Sequence, residues 1–288
     1  QKHIYILMSL SMVSWGVAWA NAQLLGKYFD FYDLVFLRFL FGSLALLLIL
    51  FLLGEKISFK IEYTRYLLPT SVLFFLYNVS FFLGTYHGEA GKGAVFATTT
   101  NPIITLILMS IITRKTNRYE VTGIALGIIG GALIMDIYNS GISDMFSRRN
   151  IFFPICSILW ASITIFISYS QKKVPPFQFI FLCYFFTAIL SFPFTSITYN
   201  ELSNLDFYFY PNFFMVAIAS MAVGTSIYMY ASNIIGPVKS SVFIFSVPFI
   251  ALISAKILLY EKIELTTVLG GFMCILAIII VNLKRDLN

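Results

Sequence analysis

The sequence predicts an all-α polytopic membrane protein, with ten transmembrane helices arranged as two inverted five-helix repeats. Three observations lead there. The 288 residues are 59% hydrophobic and only 11% charged, against about 25% charged in an average soluble domain. The apolar residues gather in continuous runs of about the twenty residues that a helix needs to cross a hydrocarbon layer roughly 30 Å thick. Landmarks of the first half also return in the second at near-constant spacing. Nineteen basic and 13 acidic side chains cannot hydrate the surface of a 32.7 kDa globule that also holds 31 Phe. With mean hydropathy at +0.87, a soluble enzyme, a disordered chain and a nucleic-acid binder are excluded. The pI near 9.1 does not imply DNA or RNA, because the basic residues fall between the hydrophobic runs. Membrane β-strands would alternate over segments of about ten residues, and these runs do not.

Charged residues or Pro, Gly and Asn punctuate each run. The first expected span, 4–22, ends on Ala18-Trp19-Ala20, which imitates a signal-peptide cleavage site. Polar Asn21 and Gln23 follow directly, so an uncleaved helix is expected; since the sequence begins at Gln1 and not Met, it is expected to lack its native beginning. Span two, 33–53, opens behind Asp30 and closes at Gly54-Glu55. Spans three and four, 66–86 and 91–112, are parted by His87-Gly88-Glu89, and span five, 119–138, follows Arg118. Span six, 151–170, follows Arg148-Arg149-Asn150, and span seven, 177–198, follows Pro175-Pro176. Span eight, 212–232, follows Pro211; span nine, 237–260, runs from Gly236-Pro237 to Glu261; span ten, 265–283, stops at Lys284-Arg285. About 200 residues then lie in the bilayer, and the rest suffices only for short connections and tails, so any function resides among the helices.

Eleven basic residues flank the spans on the amino-terminal side (Lys2, Lys56, Lys60, Arg65, Arg114, Lys115, Arg118, Lys172, Lys173, Lys284 and Arg285). Four lie on the other side (Lys27, Arg148, Arg149 and Lys262). The excess places both termini in the cytoplasm, as an even number of spans requires.

Trp15 and Trp160 are 145 residues apart, as are Lys27 and Lys172; Pro102 and Pro248 are 146 apart, and Gly123 and Gly270 are 147 apart. This spacing predicts repeats at 1–145 and 146–288. Five spans per repeat force the second copy to enter the membrane in the opposite sense, the architecture of carriers whose halves rock between two open states.

The residues that complete the picture are Ser14-Trp15-Gly16, Leu37-Arg38-Phe39, the stretch from Gly91 to Asn101-Pro102, and Gly236-Pro237 through Val247-Pro248-Phe249 to Leu259-Tyr260-Glu261. On these the whole chain resembles the drug/metabolite transporter (DMT) superfamily in its ten-span EamA-type form. The resemblance implies a basket of helices around a central cavity, with spans five and ten at the periphery. The chain departs from the family where a Glu usually follows span four, here Arg114-Lys115; the second copy keeps Glu261.

No catalytic motif is present: the sequence has no His-Glu-x-x-His, no Gly-x-Ser-x-Gly and no Walker-type Gly-Lys-Ser/Thr. Cys156, Cys183 and Cys274 fall inside spans without pairing motifs and read as packed thiols; no metal and no cofactor are expected. All thirteen acidic residues fall in connections or near span ends. A mid-membrane carboxylate is the usual proton relay or counter-charge for a cation, so proton-coupled export of cations is disfavoured. Arg38, Lys92, Lys239 and Lys256 lie within or at the ends of spans, either snorkelling and capping or drawing a carboxylate or phosphate of a solute; Arg38, which matches the family's span-two Arg, reads as structural.

Polar and aromatic residues recur at helical spacing. Span four carries Ala94, Thr98, Asn101 and Thr105, with Pro102 freeing the carbonyl of Thr98. Span three offers Asn78, Phe81 and Thr85; span six Ser157, Trp160 and Thr164; span eight Ser220, Gly224 and Tyr228; span nine Ser241, Phe245 and Pro248. A central substrate site is expected in which Asn78, Thr98 and Asn101 supply hydrogen bonds. Trp15, Phe81, Trp160, Thr164, Tyr228 and Phe245 line it. Gly123, Gly127 and Gly131 form a small face on span five, open either to packing within the chain or to a homodimer contact. The expected activity is secondary transport of a small polar or amphipathic metabolite, an amino acid or a related compound, by export, uniport or exchange. Uptake of a nucleotide-like or vitamin-like solute and a membrane enzyme acting on a lipid intermediate are the alternatives. The expected setting is a bacterial inner membrane, with the bilayer and the metabolite as partners and no nucleic acid.

Overall fold

The computed structural model describes residues 2–55, 57–114, 118–170, 174–228, 243–244 and 246–283. The regular structure of these residues is all helical, with a helix in each of the ten expected segments. We label them α1 (Lys2–Leu25), α2 (Phe31–Leu52), α3 (Thr64–His87), α4 (Ala90–Thr113), α5 (Arg118–Ile134), α6 (Phe152–Ser170), α7 (Pro176–Ser191), α8 (Phe209–Tyr228), α9 (Val247–Leu259) and α10 (Leu265–Leu283). Six of them (α1–α4, α7 and α8) are long and apolar enough to cross a membrane; α6, α9 and α10 contain shorter apolar stretches. The sequence positions Lys239, Ser241 and Phe245 and the Gly236-Pro237 pair lie outside the described residues, as do Lys56, Lys115, Lys172, Lys173, Lys284 and Arg285.

Local chemistry sets the ends. Asp30 caps α2 by accepting the Phe31 N–H at 2.7 Å, which satisfies one of the orphan donors of a helix start. Two expected boundaries are corrected. The seventh helix was expected to reach residue 198 but ends at Ser191, passing into a 3₁₀ turn over Phe192–Phe194; Pro193 brings no N–H to continue the ladder and clashes with the preceding turn. The fifth stops at Ile134 instead of 138, because Asp136 takes a left-handed conformation (φ 53°). Arg114 after α4 and Tyr260 after α9 are also left-handed, at φ 52° and 58°, so both copies end this helix in the same way.

The packing of the helices follows a twofold rule. Three pairs join equivalent helices of the two copies: α5 with α10, α2 with α7 and α4 with α9. The other main pairs between the copies come in matched sets. The α1–α9 contact is mirrored by α4–α6, α3–α6 by α1–α8, and α3–α7 by α2–α8. These pairs relate the two copies as a twofold axis would, with one exception: α4 also packs against α10, while the corresponding α5–α9 contact is not comparably developed among the described residues.

The small face of α5 is consumed inside the chain. A Cβ on Gly127 would lie 2.1 Å from Ile103 of α4, and one on Gly130 would lie 2.8 Å from the Gly270 carbonyl oxygen of α10. The three cysteines are buried and free.

An aromatic belt with an uncompensated cation

Five helices bring aromatic rings into contact across about two turns of the bundle. Trp15 of α1 packs on Tyr228 of α8, with ring centres 5.4 Å apart. One turn along α1, Trp19 meets Phe81 of α3 edge-on at 4.7 Å. Phe81 stacks near Tyr77 at 6.2 Å, and Tyr77 touches Trp160 of α6 at 4.9 Å. The chain continues from Trp160 to Phe74 at 6.3 Å and from Phe74 to Tyr184 of α7 at 5.5 Å. Tyr184 closes the circuit by donating its hydroxyl to the Met221 carbonyl of α8 at 3.5 Å. All three tryptophans of the sequence belong to this belt.

The middle of α8 is a π-helix over Phe214–Gly224. Its looser i→i+5 ladder suits carbonyls that serve other partners, and such turns are frequent at functional sites. Three of its carbonyls do so. Ser220 accepts from the Trp15 indole N–H at 2.9 Å, Met221 from Tyr184, and Val216 from the Arg38 Nε–H at 3.3 Å. One segment thus fixes side chains of α1, α2 and α7.

Arg38 stands seven residues into α2, about 10 Å along the axis at roughly 1.5 Å per residue. It does not snorkel back along its own helix. One terminal nitrogen donates to Asn78 Oδ1 of α3 at 2.7 Å, and its guanidinium carbon lies 5.0 Å from the Phe81 ring centre. Those partners are neutral, and among the described residues no carboxylate pairs with it.

The expected site residues divide into two groups. Trp15, Asn78, Phe81, Trp160 and Tyr228 meet in or against the belt. Asn78 is buried and committed on both sides, accepting from Arg38 and donating to the Phe74 carbonyl at 2.9 Å. Thr98, Asn101 and Thr164 are held by bonds within their own helices. Thr98 donates to the Ala94 carbonyl at 2.7 Å, Thr105 donates to the Asn101 backbone carbonyl at 2.9 Å and lies 3.4 Å from its Oδ1, and exposed Thr164 donates to the Trp160 carbonyl at 2.9 Å. Trp19, Phe74, Tyr77 and Tyr184 were not anticipated. Tyr77 sits one residue outside the Asn78/Phe81 stripe, and a single tyrosine inside an apolar run was its only signal.

Most of the described carboxylates lie at the end of the bundle that carries the α1–α2, α3–α4, α5–α6, α7–α8 and α9–α10 connections, while Glu55, Glu62 and Glu120 lie at the other. Asp33 accepts the Ser196 N–H at 2.8 Å, Tyr28 donates to Asp206 at 2.6 Å, and Arg149 pairs with Glu89. Glu261 accepts the Ala90 and Gly91 N–H groups at 2.7 and 2.9 Å, capping α4 from the second repeat. The hydrogen bond to Asp206 pushes the Tyr28 hydroxyl up to about 12, while the same bond holds the Asp206 carboxyl below its ordinary range.

Comparison with known proteins agrees with this architecture. The chain is 24% identical over 287 residues to an uncharacterized transporter of Archaeoglobus fulgidus, covering 98% of this chain and 99% of that protein. It is 23% identical to the uncharacterized transporter YoaV of Bacillus subtilis, covering 93% and 92%. A solved crystal structure superposes over 100% of this chain and 99% of its own with a TM-score of 0.63 at 10% identity, a likeness of fold. The model of the EamA-like transporter family matches twice, over residues 2–136 and 149–283, and with both copies accounted for the chain belongs to that family of integral membrane transporters.

Proposed function

We propose that this transporter is a secondary carrier for a small amphipathic metabolite, an amino acid or a related compound, which it binds in the aromatic belt and releases by alternating access. The observation that carries the reading is the set of polar ends left in the belt. Among the described residues the Tyr77 hydroxyl, the Trp160 indole N–H and the Tyr228 hydroxyl have no hydrogen-bond partner, and all three side chains are only partly buried, which leaves these polar ends open to a solute. A bound solute supplies those partners, and the surrounding rings cover its apolar body. The belt draws on helices of both repeats, so rocking one repeat against the other alternates access to it.

On the basic-residue count, both termini face the cytoplasm of a bacterial inner membrane, and the solute gradient sets the direction of flux. No acidic residue lies in the belt; we therefore read the cycle as uniport or exchange. Solute counterflow into proteoliposomes tests the reading. Flux is expected to persist when an ionophore collapses the proton gradient. Trp160→Ala is expected to lower it at least tenfold, since removing a stacking partner and a donor costs about 1.4 kcal/mol or more. Undiminished flux in folded Trp160→Ala would place the site elsewhere.

A further inference from the structure

We infer that the solute carries a carboxylate, and that Arg38 is the residue that selects it; this rests on the belt being the solute site. An arginine presents five N–H donors. Two are used here, on the Val216 carbonyl and Asn78 Oδ1, and no described residue takes the others. The side chain is half-buried, so part of it remains accessible. A cation held inside a membrane is costly unless a counter-charge meets it or function requires it. The two ion pairs among the described residues, Lys92–Glu264 and Arg149–Glu89, lie at the bundle end and leave Arg38 unmatched.

The contacts of Arg38 also hold it in place instead of neutralising it. Asn78 and the π-helix carbonyl fix the guanidinium from α3 and α8, and the Phe81 ring lies against it. A planar guanidinium fixed in this way matches the fork of a carboxylate. The positive field it creates repels cationic solutes, and the neighbouring Phe81, Tyr77 and Trp160 rings accept an apolar or aromatic body. The solute class is therefore a monocarboxylate, as an anion or as the zwitterion of an amino acid.

Tryptophan fluorescence of the purified full chain tests this, because Trp15, Trp19 and Trp160 all report from the belt. Four probes share a phenyl body: phenylalanine (zwitterion), phenylacetate (anion), phenylacetamide (neutral) and phenethylamine (cation). A saturable response is expected for at least one of the two carboxylates, with the amide and the amine at least about tenfold weaker, the loss of one charge-assisted hydrogen bond. Arg38→Gln is expected to erase the preference of acid over amide, and Arg38→Lys to restore part of it. Equal responses to acid and amide, or a preference for the amine, overturn the inference and leave the carrier reading intact. The wild-type comparison decides this even if Arg38→Gln does not fold. A preference that survives in folded Arg38→Gln assigns Arg38 to clamping α2, α3 and α8 alone. If no probe responds and no solute of any charge moves in counterflow, both readings fall.

Discussion

Glu261 shows how one side chain joins the two repeats. It lies in the short connection between α9 and α10, yet it satisfies two orphan donors at the start of α4, one with each carboxylate oxygen. Glu261→Ala leaves both N–H groups without this acceptor and is expected to cost about 1–2 kcal/mol of stability, read as a lowered melting temperature in detergent. Burial pushes the Glu261 carboxyl above the ordinary glutamate range, while the two backbone bonds oppose that rise. The folded state therefore holds this proton more tightly than the unfolded one. Its contribution to stability is fullest below the ordinary glutamate pKa and declines as pH rises through the raised value. The stability difference between wild type and Glu261→Gln is thus expected to be more favourable to wild type near pH 5 than near pH 8; a difference that grows with pH contradicts this. The partner of Glu261 was invisible in the sequence, since the bond spans about 170 residues.

The elements carry the clearest difference between pattern and packing. The glycine face of α5 is legible as a motif, and the motif leaves open whether it meets this chain or a second copy. The structure commits Gly127 to α4 and Gly130 to α10, where the helices approach backbone to backbone. A Cβ on Gly270 would sit 2.5 Å from the Gly130 carbonyl oxygen. A backbone atom cannot turn aside as a side-chain tip can, so Gly270→Ala must push α10 away from α5. The expected cost is about 1–3 kcal/mol, checked by thermal unfolding, and Gly54→Ala is not a substitute control because Gly54 has φ +68°. The π-helical stretch of α8 is the opposite case. Its residues, Phe214–Gly224, read as an ordinary apolar run. The extra residue per turn reflects carbonyls drawn toward Trp15, Arg38 and Tyr184, partners that no local pattern reveals.

At the scale of the whole molecule, the matched contact pairs give two similar bodies sharing one belt. The alternating access we propose requires the bundle end that carries Tyr28, Asp33 and Glu89 to open and close. Tyr28 and Asp206 tie the α1–α2 and α7–α8 connections at that end. Cysteines at positions 28 and 206 joined by a short bifunctional thiol reagent are expected to stop counterflow and to leave probe binding in the belt intact. The three native cysteines are buried, which keeps the background reaction low. Unaltered flux after complete cross-linking would show that this end does not move.

Composition and periodicity alone determined the membrane setting, the helical class, the two-copy plan and the absence of carboxylates from the span interiors. Each of these depends on residues close in sequence or on a count, and a bilayer solvent enforces them segment by segment. Trp15 and Trp160 were also found this way, because a rare residue repeated in register is visible without a fold. Tertiary structure alone decided which polar groups are spent. It committed Asn78 to Arg38, turned Thr98 and Thr164 back onto their own helices, and assembled Trp19, Phe74, Tyr77 and Tyr184 into the belt. Hydrogen bonding and ring packing are satisfied between helices distant in the chain, so only the packed bundle shows which side chains remain available to a solute.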